Sequence, residues 1–193
     1  MSFTIKYLNQ EKVFDKKVQV LDLLEKGNRD VICCRVNNKL RELTYYVEED
    51  AKVEFLTIKD EDAAKIYEST VRFIAVMAFA RLYPMLKVRL TRNVSRSTFI
   101  QILNEGAVTT SKMRDEIEAE MKKIIAADFP LIRHSFEKKE AAQIYSKMGL
   151  EDKLEALEYR PEKSVHLYEC DGYYNYLFSR MVPSTGYTKD FKL

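Results

Sequence analysis

The stretch Leu43-Thr-Tyr-Tyr-Val-Glu-Glu-Asp-Ala-Lys-Val-Glu-Phe-Leu-Thr-Ile58, followed at once by Asp60-Glu-Asp62, marks the change from strands to helix on which the fold turns. From Lys52 to Ile58 the side chains alternate, with Val53, Phe55 and Thr57 facing one way and Glu54, Leu56 and Ile58 the other. A period of two is the signature of a strand. The three carboxylates that follow are favoured at the positive end of a helix. That helix runs to Tyr83 and stops at Pro84, and from Val71 to Ala80 its only polar residue is Arg72. A helix apolar on nearly every side belongs in an interior.

Toward the N-terminus, residues 2–8 and 11–17 flank Asn9-Gln10 and read as a hairpin, with Phe3, Ile5 and Tyr7 on one face. Val20–Lys26 reads as a short helix stopped by Gly27, and Val31–Val36 pairs with Leu40–Thr44 around Asn37-Asn38. Two strands, a short helix and three more strands in the first 59 residues predict a small β-grasp domain. Residues 60–193 then form a second domain around the long helix. There, residues 86–93 and 97–104 read as strands, and Ser111 caps a helix carrying Met113, Ile117, Met121 and Ile124. Asp115 and Glu116 fall in its first turn, and Lys122 and Lys123 near its end. Leu131–Phe136 reads as a strand, Glu137–Met148 and Leu150–Leu157 as helices, and Val165–Cys170 and Tyr173–Phe178 as a hairpin on Asp171-Gly172. The expected class is α+β.

With 46% hydrophobic and 32% charged residues, and only five Gly and four Pro, the chain is globular rather than disordered. A net charge of +2 gives no global attraction to nucleic acid, so such a role needs a local patch. No apolar run reaches the roughly 18 residues of a membrane span. The start reads as a strand rather than a secretory signal. Cys33, Cys34 and Cys170 are no disulfide framework: they are odd in number, and adjacent strand residues point to opposite faces. Buried thiols in a reducing cytoplasm are expected.

Val31-Ile-Cys-Cys-Arg-Val-Asn-Asn-Lys39, the helix start Val20-Leu21-Asp22 and the Glu-Glu-Asp-Ala-Lys-Val-Glu-Phe ending resemble a TGS domain. The long helix ending Leu82-Tyr83-Pro84, together with Met181-Val-Pro-Ser-Thr-Gly186, resembles the second additional, or editing, domain of threonyl-tRNA synthetases. The resemblance spans about residues 2–193. It implies a cleft in which two histidines, four residues apart on the helix, meet a cysteine and a third histidine ahead of Val-Pro-Ser-Thr-Gly, and in which mischarged aminoacyl-tRNA is hydrolysed. Such groups orient or polarise water against an ester carbonyl. In this sequence the four positions hold Ser69, Phe73, Leu177 and Met181. Phe73, Leu177 and Met181 neither relay a proton nor ligate a hard metal. The resemblance therefore implies a kept scaffold without its hydrolytic centre, and no catalytic, cofactor-binding or metal-binding residue. The four side chains fill the old cleft as core, or they leave an apolar pocket for a small ligand.

His134 and His166 sit in predicted strands without ligand-spaced neighbours and read as structural. No Cys-x-x-Cys, His-Glu-x-x-His, Gly-x-Ser-x-Gly or P-loop pattern occurs, so the chain should not hold ATP by a P-loop. Lys87, Arg89, Arg92 and Arg96 cluster around a predicted hairpin, either as a solvated edge that resists aggregation or as contacts to an RNA backbone. Tyr45-Tyr46 and Tyr173-Tyr174-Asn175-Tyr176 could stack bases or pack sheet faces.

The same tandem of domains precedes the P-loop kinase domain of bacterial proteins that resemble uridine kinases, in which the cleft histidines are typically gone. Tyr187 after Gly186 adds to that resemblance, and the strand-like stop at Thr188–Leu193 predicts a longer parent protein. The leading expectation is thus a non-catalytic accessory region of a uridine-kinase-like protein, with ATP and Mg needed only if a kinase domain follows. The alternatives are a synthetase-like module that hydrolyses mischarged tRNA, or a stand-alone RNA-binding module. Expected partners are tRNA or other RNA and a C-terminal kinase domain, with no membrane. The oligomeric state is not legible.

Overall fold

A computed structural model describes residues 2–94, 97–176 and 179–193, without the side chains of residues 92–94 and 152. Strands β1 (Phe3–Tyr7) and β2 (Gln10–Phe14) form the first hairpin. Its turn is Leu8-Asn9, at φ +46° and +59°, one residue earlier than expected. Both turn residues left-handed is the geometry that matches the twist of paired strands. Then come β3 (Val18–Gln19), a 3₁₀ turn at Val20–Leu23, β4 (Val31–Val36), β5 (Lys39–Arg41), β6 (Tyr46–Val47) and β7 (Ala51–Thr57). The sheet order is β2-β1-β7-β4-β5, with β1 and β7 parallel at its centre, and β3 pairs separately with β6. This is the β-grasp layout, except that the expected helix at Val20–Lys26 shrinks to the 3₁₀ turn because Leu24 is already extended.

One face of the sheet closes over Phe3, Ile5, Tyr7, Val20, Cys34, Leu43, Val47 and Val53. The other is covered by α1 (Glu61–Leu82), which packs on β4 and β7. A bulge at Ile32 lets Val31 oppose Thr57 while Cys33 opposes Leu56. Because both faces are covered, all of Val31–Cys34 is buried.

Helix α1 begins and ends where its sequence signals stand. Asp60 accepts the Thr57 N–H at 2.9 Å, and the Tyr83 N–H closes on the Phe79 carbonyl at 2.7 Å before Pro84. Ile66, Phe73, Ile74, Met77 and Ala78 are all at most 2% exposed, as its apolar run predicts. β8 (Val88–Val94) and β9 (Ser97–Ile102) pair as a hairpin, and α2 (Ser111–Ala127) follows. Thr110, not Ser111, caps α2 by accepting the Met113 N–H at 3.1 Å. The first turn of α2 holds no acidic residue, so Asp115 and Glu116 lie one turn further in than expected. Asp128 ends α2 in the left-handed region, at φ +54°.

Contacts group Met1–Phe129 with Ser179–Leu193 as one compact unit and Pro130–Phe178 as another. The boundary expected between residues 59 and 60 falls inside the first unit, where α1 lies on the sheet. The second unit holds β10 (Ile132–Glu137), α3 (Lys138–Lys147), α4 (Glu151–Glu158), β11 (Ser164–Cys170) and β12 (Tyr173–Asn175), with β11 central in an antiparallel sheet. Glu137 opens α3 with a reciprocal capping box to Glu140. Ala141, Tyr145, Leu157, Val165 and Leu167 form its core. The strand expected to reach Phe178 is described only to Asn175; Leu177 and Phe178 lie outside the described residues. Among the described residues, no helix is long and apolar enough to cross a membrane.

Candidate functional site

The segment Ser179–Leu193 returns to α1, and two backbone hydrogen bonds fix where. The Met181 N–H donates to Glu42 Oε1 at 3.2 Å, and the Val182 N–H to Thr70 Oγ1 at 3.4 Å. Thr70 in turn donates to the Ile66 carbonyl at 2.9 Å. Val182 thus lies against the helical turn that carries Ser69 and Phe73. Phe73 and Met181 are each 1% exposed, Ser69 is half-buried, and Leu177 lies outside the described residues. Two oily side chains are sealed at positions where the resemblance implies imidazoles.

A few residues on, the same segment is polar. Asp128, half-buried beyond α2, accepts hydrogen bonds from the Ser184 hydroxyl, the Arg29 guanidinium and, at 3.1 Å, the Gly186 N–H. Burial raises the Asp128 carboxyl, but those donors outweigh it and hold the group below the usual carboxylate range. A glycine at 186 makes room for the pair, because a Cβ there would overlap the Arg29 guanidinium and the Asp128 carboxylate unless they shifted. Thr185 donates to the Ile124 carbonyl at 2.8 Å and receives nothing from solvent, being fully buried. The arrangement ties a loop, a helix end and the 184–187 segment together.

A groove of about 530 Å³ lies between α1, the inner face of the β8–β9 hairpin, α2 and residues 190–193. Val71, Ala75, Leu90, Ile100, Met113 and Phe191 line it, and Arg72, which donates to Thr98 Oγ1 at 2.9 Å, stands at its polar end. Ser69, Phe73 and Met181 do not line it. This groove therefore lies beside the expected cleft positions rather than at them.

Neither buried thiol of β4 is a usable nucleophile. Burial, reinforced for Cys33 by the charges of Asp62 and Asp60, pushes both Cys33 and Cys34 up to about 12. None of the three cysteines forms a disulfide. Among the described residues, no three His, Cys, Asp or Glu side chains converge as a ligand set. His134 sits in the second unit with its ring 5.6 Å from Phe136 and 6.1 Å from Tyr174, and its Nε2 is 4.0 Å from Glu169. His166 is exposed on β11.

The second unit also holds a polar cluster that sequence reasoning missed. Lys153 Nζ donates to Asn175 Oδ1, and Asn175 Nδ2 donates to the Tyr173 hydroxyl at 3.1 Å. Asn175 is 4% exposed, and desolvation pushes the Tyr173 phenol upward. Only the lone amide within Tyr173-Tyr174-Asn175-Tyr176 hinted at it, since its partner stands 22 residues away.

Of the basic residues expected around the hairpin, Lys87 and Arg89 are exposed on one face. The side chain of Arg92, and all of Arg96, lie outside the described residues. Tyr45 and Tyr46 are 40% and 49% exposed, with Arg41 over the first ring at 4.8 Å and Lys17 over the second at 5.0 Å. They do not pack the sheet core.

No family model matches the chain. It is similar to the threonine–tRNA ligase of Syntrophomonas wolfei, at 30% identity over 173 residues, which is 89% of this chain and 27% of the ligase. Against the ligase of Caldanaerobacter subterraneus the figures are 29% identity, 95% of this chain and 29% of the ligase. Against threonine–tRNA ligase 1 of Bacillus subtilis they are 29%, 82% and 25%. The chain spans little more than a quarter of the length of these curated relatives. Over most of its own length it is a homologue of one portion of threonine–tRNA ligases.

Proposed function

We propose that this chain is a tRNA-binding module of the threonine–tRNA ligase type that holds tRNA without hydrolysing its aminoacyl ester. The observation that carries the reading is the sealed apolar packing of Phe73 and Met181 at positions where the resemblance implies water-activating histidines. A carbonyl ester needs a base or a polarising group within hydrogen-bond reach, and neither side chain offers one. Residues 1–59 act in this reading as a TGS-like β-grasp domain and residues 60–193 as the editing-like domain, in a cytoplasmic setting and without a cofactor. The relatives named above are ligases, and they give the uridine-kinase-like parent no support. Homology by itself favours a second reading, a module that hydrolyses mischarged tRNA.

Incubating the purified chain with seryl-tRNA separates the two. Expected are a retarded tRNA complex that weakens steeply as salt rises, and ester loss at the rate of buffer alone. Turnover above that rate would sink the first reading in favour of the second.

A further inference from the structure

The β8–β9 hairpin is two-faced. Leu90, Ile100 and Ile102 line the groove on its inner side. On the outer side Lys87, Arg89, Phe99, Gln101 and Leu103 are all exposed, Phe99 at 56% and Leu103 at 40%. Register sets their spacing. Arg89 stands directly opposite Gln101, so Phe99 and Leu103 are its two diagonal neighbours, and the Leu103 N–H donates to the Lys87 carbonyl at 2.8 Å. Diagonal neighbours on an antiparallel pair lie about 7 Å apart, within reach of arginine and aromatic side chains. A large apolar ring left in water at the end of a row of two cations adds nothing to the packing, which the inner face already supplies.

We propose that this outer face binds single-stranded RNA, with Phe99 stacking a base and Arg89, then Lys87, contacting successive phosphates along the strand to one side of it. This rests on the RNA-binding reading above and names the surface and the strand state. Stacking needs an unpaired base, because a duplex hides its base faces, while cations alone would take either form. A protein partner fits less well, because lysine is depleted at protein interfaces and Lys87 belongs to the patch.

The test uses the full chain with three probes: a 12-nucleotide oligouridylate, an RNA duplex of equal length, and unfractionated tRNA. Expected is a clear preference for the oligouridylate over the duplex. Phe99→Ser should weaken the single strand about tenfold and leave the duplex unchanged, and Phe99→Tyr should restore binding. The pair Lys87→Ala and Arg89→Ala should flatten the log–log salt dependence by about 1.4, the release expected for two phosphates on a single strand. Oligouridylate affinity indifferent to Phe99→Ser overturns this proposal, and if tRNA still binds, the broader reading survives. Sedimentation showing a dimer abolished by Phe99→Ser, with RNA affinity unmoved, also overturns it and assigns the face to a second copy. Absence of binding to any RNA at low salt overturns both.

Discussion

The seven residues Met181–Tyr187 pass through two environments. At the first end Met181 and Val182 are each 1% exposed against α1, and only their backbone N–H groups make polar contacts, to Glu42 and Thr70. At the other end Ser184, Thr185 and Gly186 spend side chains and backbone on Asp128, Ile124 and Phe129. One end is held by shape and the other by directed hydrogen bonds. Both ends fix the fold, one by packing and the other by polar contacts. The contrast can be broken most directly at Phe73. Phe73→Ala should cost about 4 kcal/mol in denaturant unfolding, the usual loss for emptying a buried aromatic site. Ser69→Ala, on the same helix, should stay within about 0.5 kcal/mol. A loss under about 1 kcal/mol at Phe73 would show slack at this end, and the shape-held description would fail.

The polar end is probed next at Gly186. Gly186→Ala drives a methyl into the Arg29–Asp128 pair, whose flexible ends can retreat only by giving up their hydrogen bonds. The expected loss is about 2 kcal/mol, within the range for overpacking. If the loss is the clasp itself, then combining Gly186→Ala with Asp128→Ala should cost less than the two separate losses together. Full additivity would mean that the glycine is needed for some reason other than the clasp.

The sequence made the shape-held parts easier to read than the polar ones, and the reason is range. Asp60 and Pro84 bracket α1 by local chemistry, and Asn37-Asn38 and Asp171-Gly172 mark turns in which both residues are left-handed. Phe73 and Met181 were legible as core because burial follows from local apolar patterning. The two-residue pairing of β3 with β6 was not, since it is fixed by partners 28 or so residues away rather than by any local pattern. The extra residue at Ile32 was equally hidden, because a bulge is set by the register of β4 against β7. The Asp128 clasp joins residues 29, 128, 184 and 186, and the Lys153–Asn175–Tyr173 cluster joins two elements 22 residues apart. A hydrogen bond between distant residues leaves no periodicity in sequence, so the candidate polar sites appear only once the chain is folded. The exposure of Phe99 belongs with these: alternation put it on the face opposite Ile100, but not on the side facing water.

The finest distinction between the two ends is their response to pH. Burial raises the Asp128 carboxyl, yet Ser184, Arg29 and Gly186 together bring it below its ordinary value of about 4. A carboxyl held low in the folded chain contributes stability that is present above the unfolded value and is lost as pH falls through the folded one. Asp128 and Arg29 are 38% and 36% exposed, so solvent screens the pair and its contribution is about 1 kcal/mol. Asp128→Asn tolerates the left-handed backbone at this position but cannot carry the charge. At neutral pH the variant should therefore unfold at lower denaturant, and its midpoint should converge on that of the unaltered chain as pH falls below the ordinary carboxylate range and through the lowered value of the folded state. Phe73→Leu, which leaves Asp128 and its donors in place, should keep a constant offset over the same range. If the Asp128→Asn offset also stays constant, the polar end is held by geometry alone, and the difference between the two ends is one of side-chain size rather than charge.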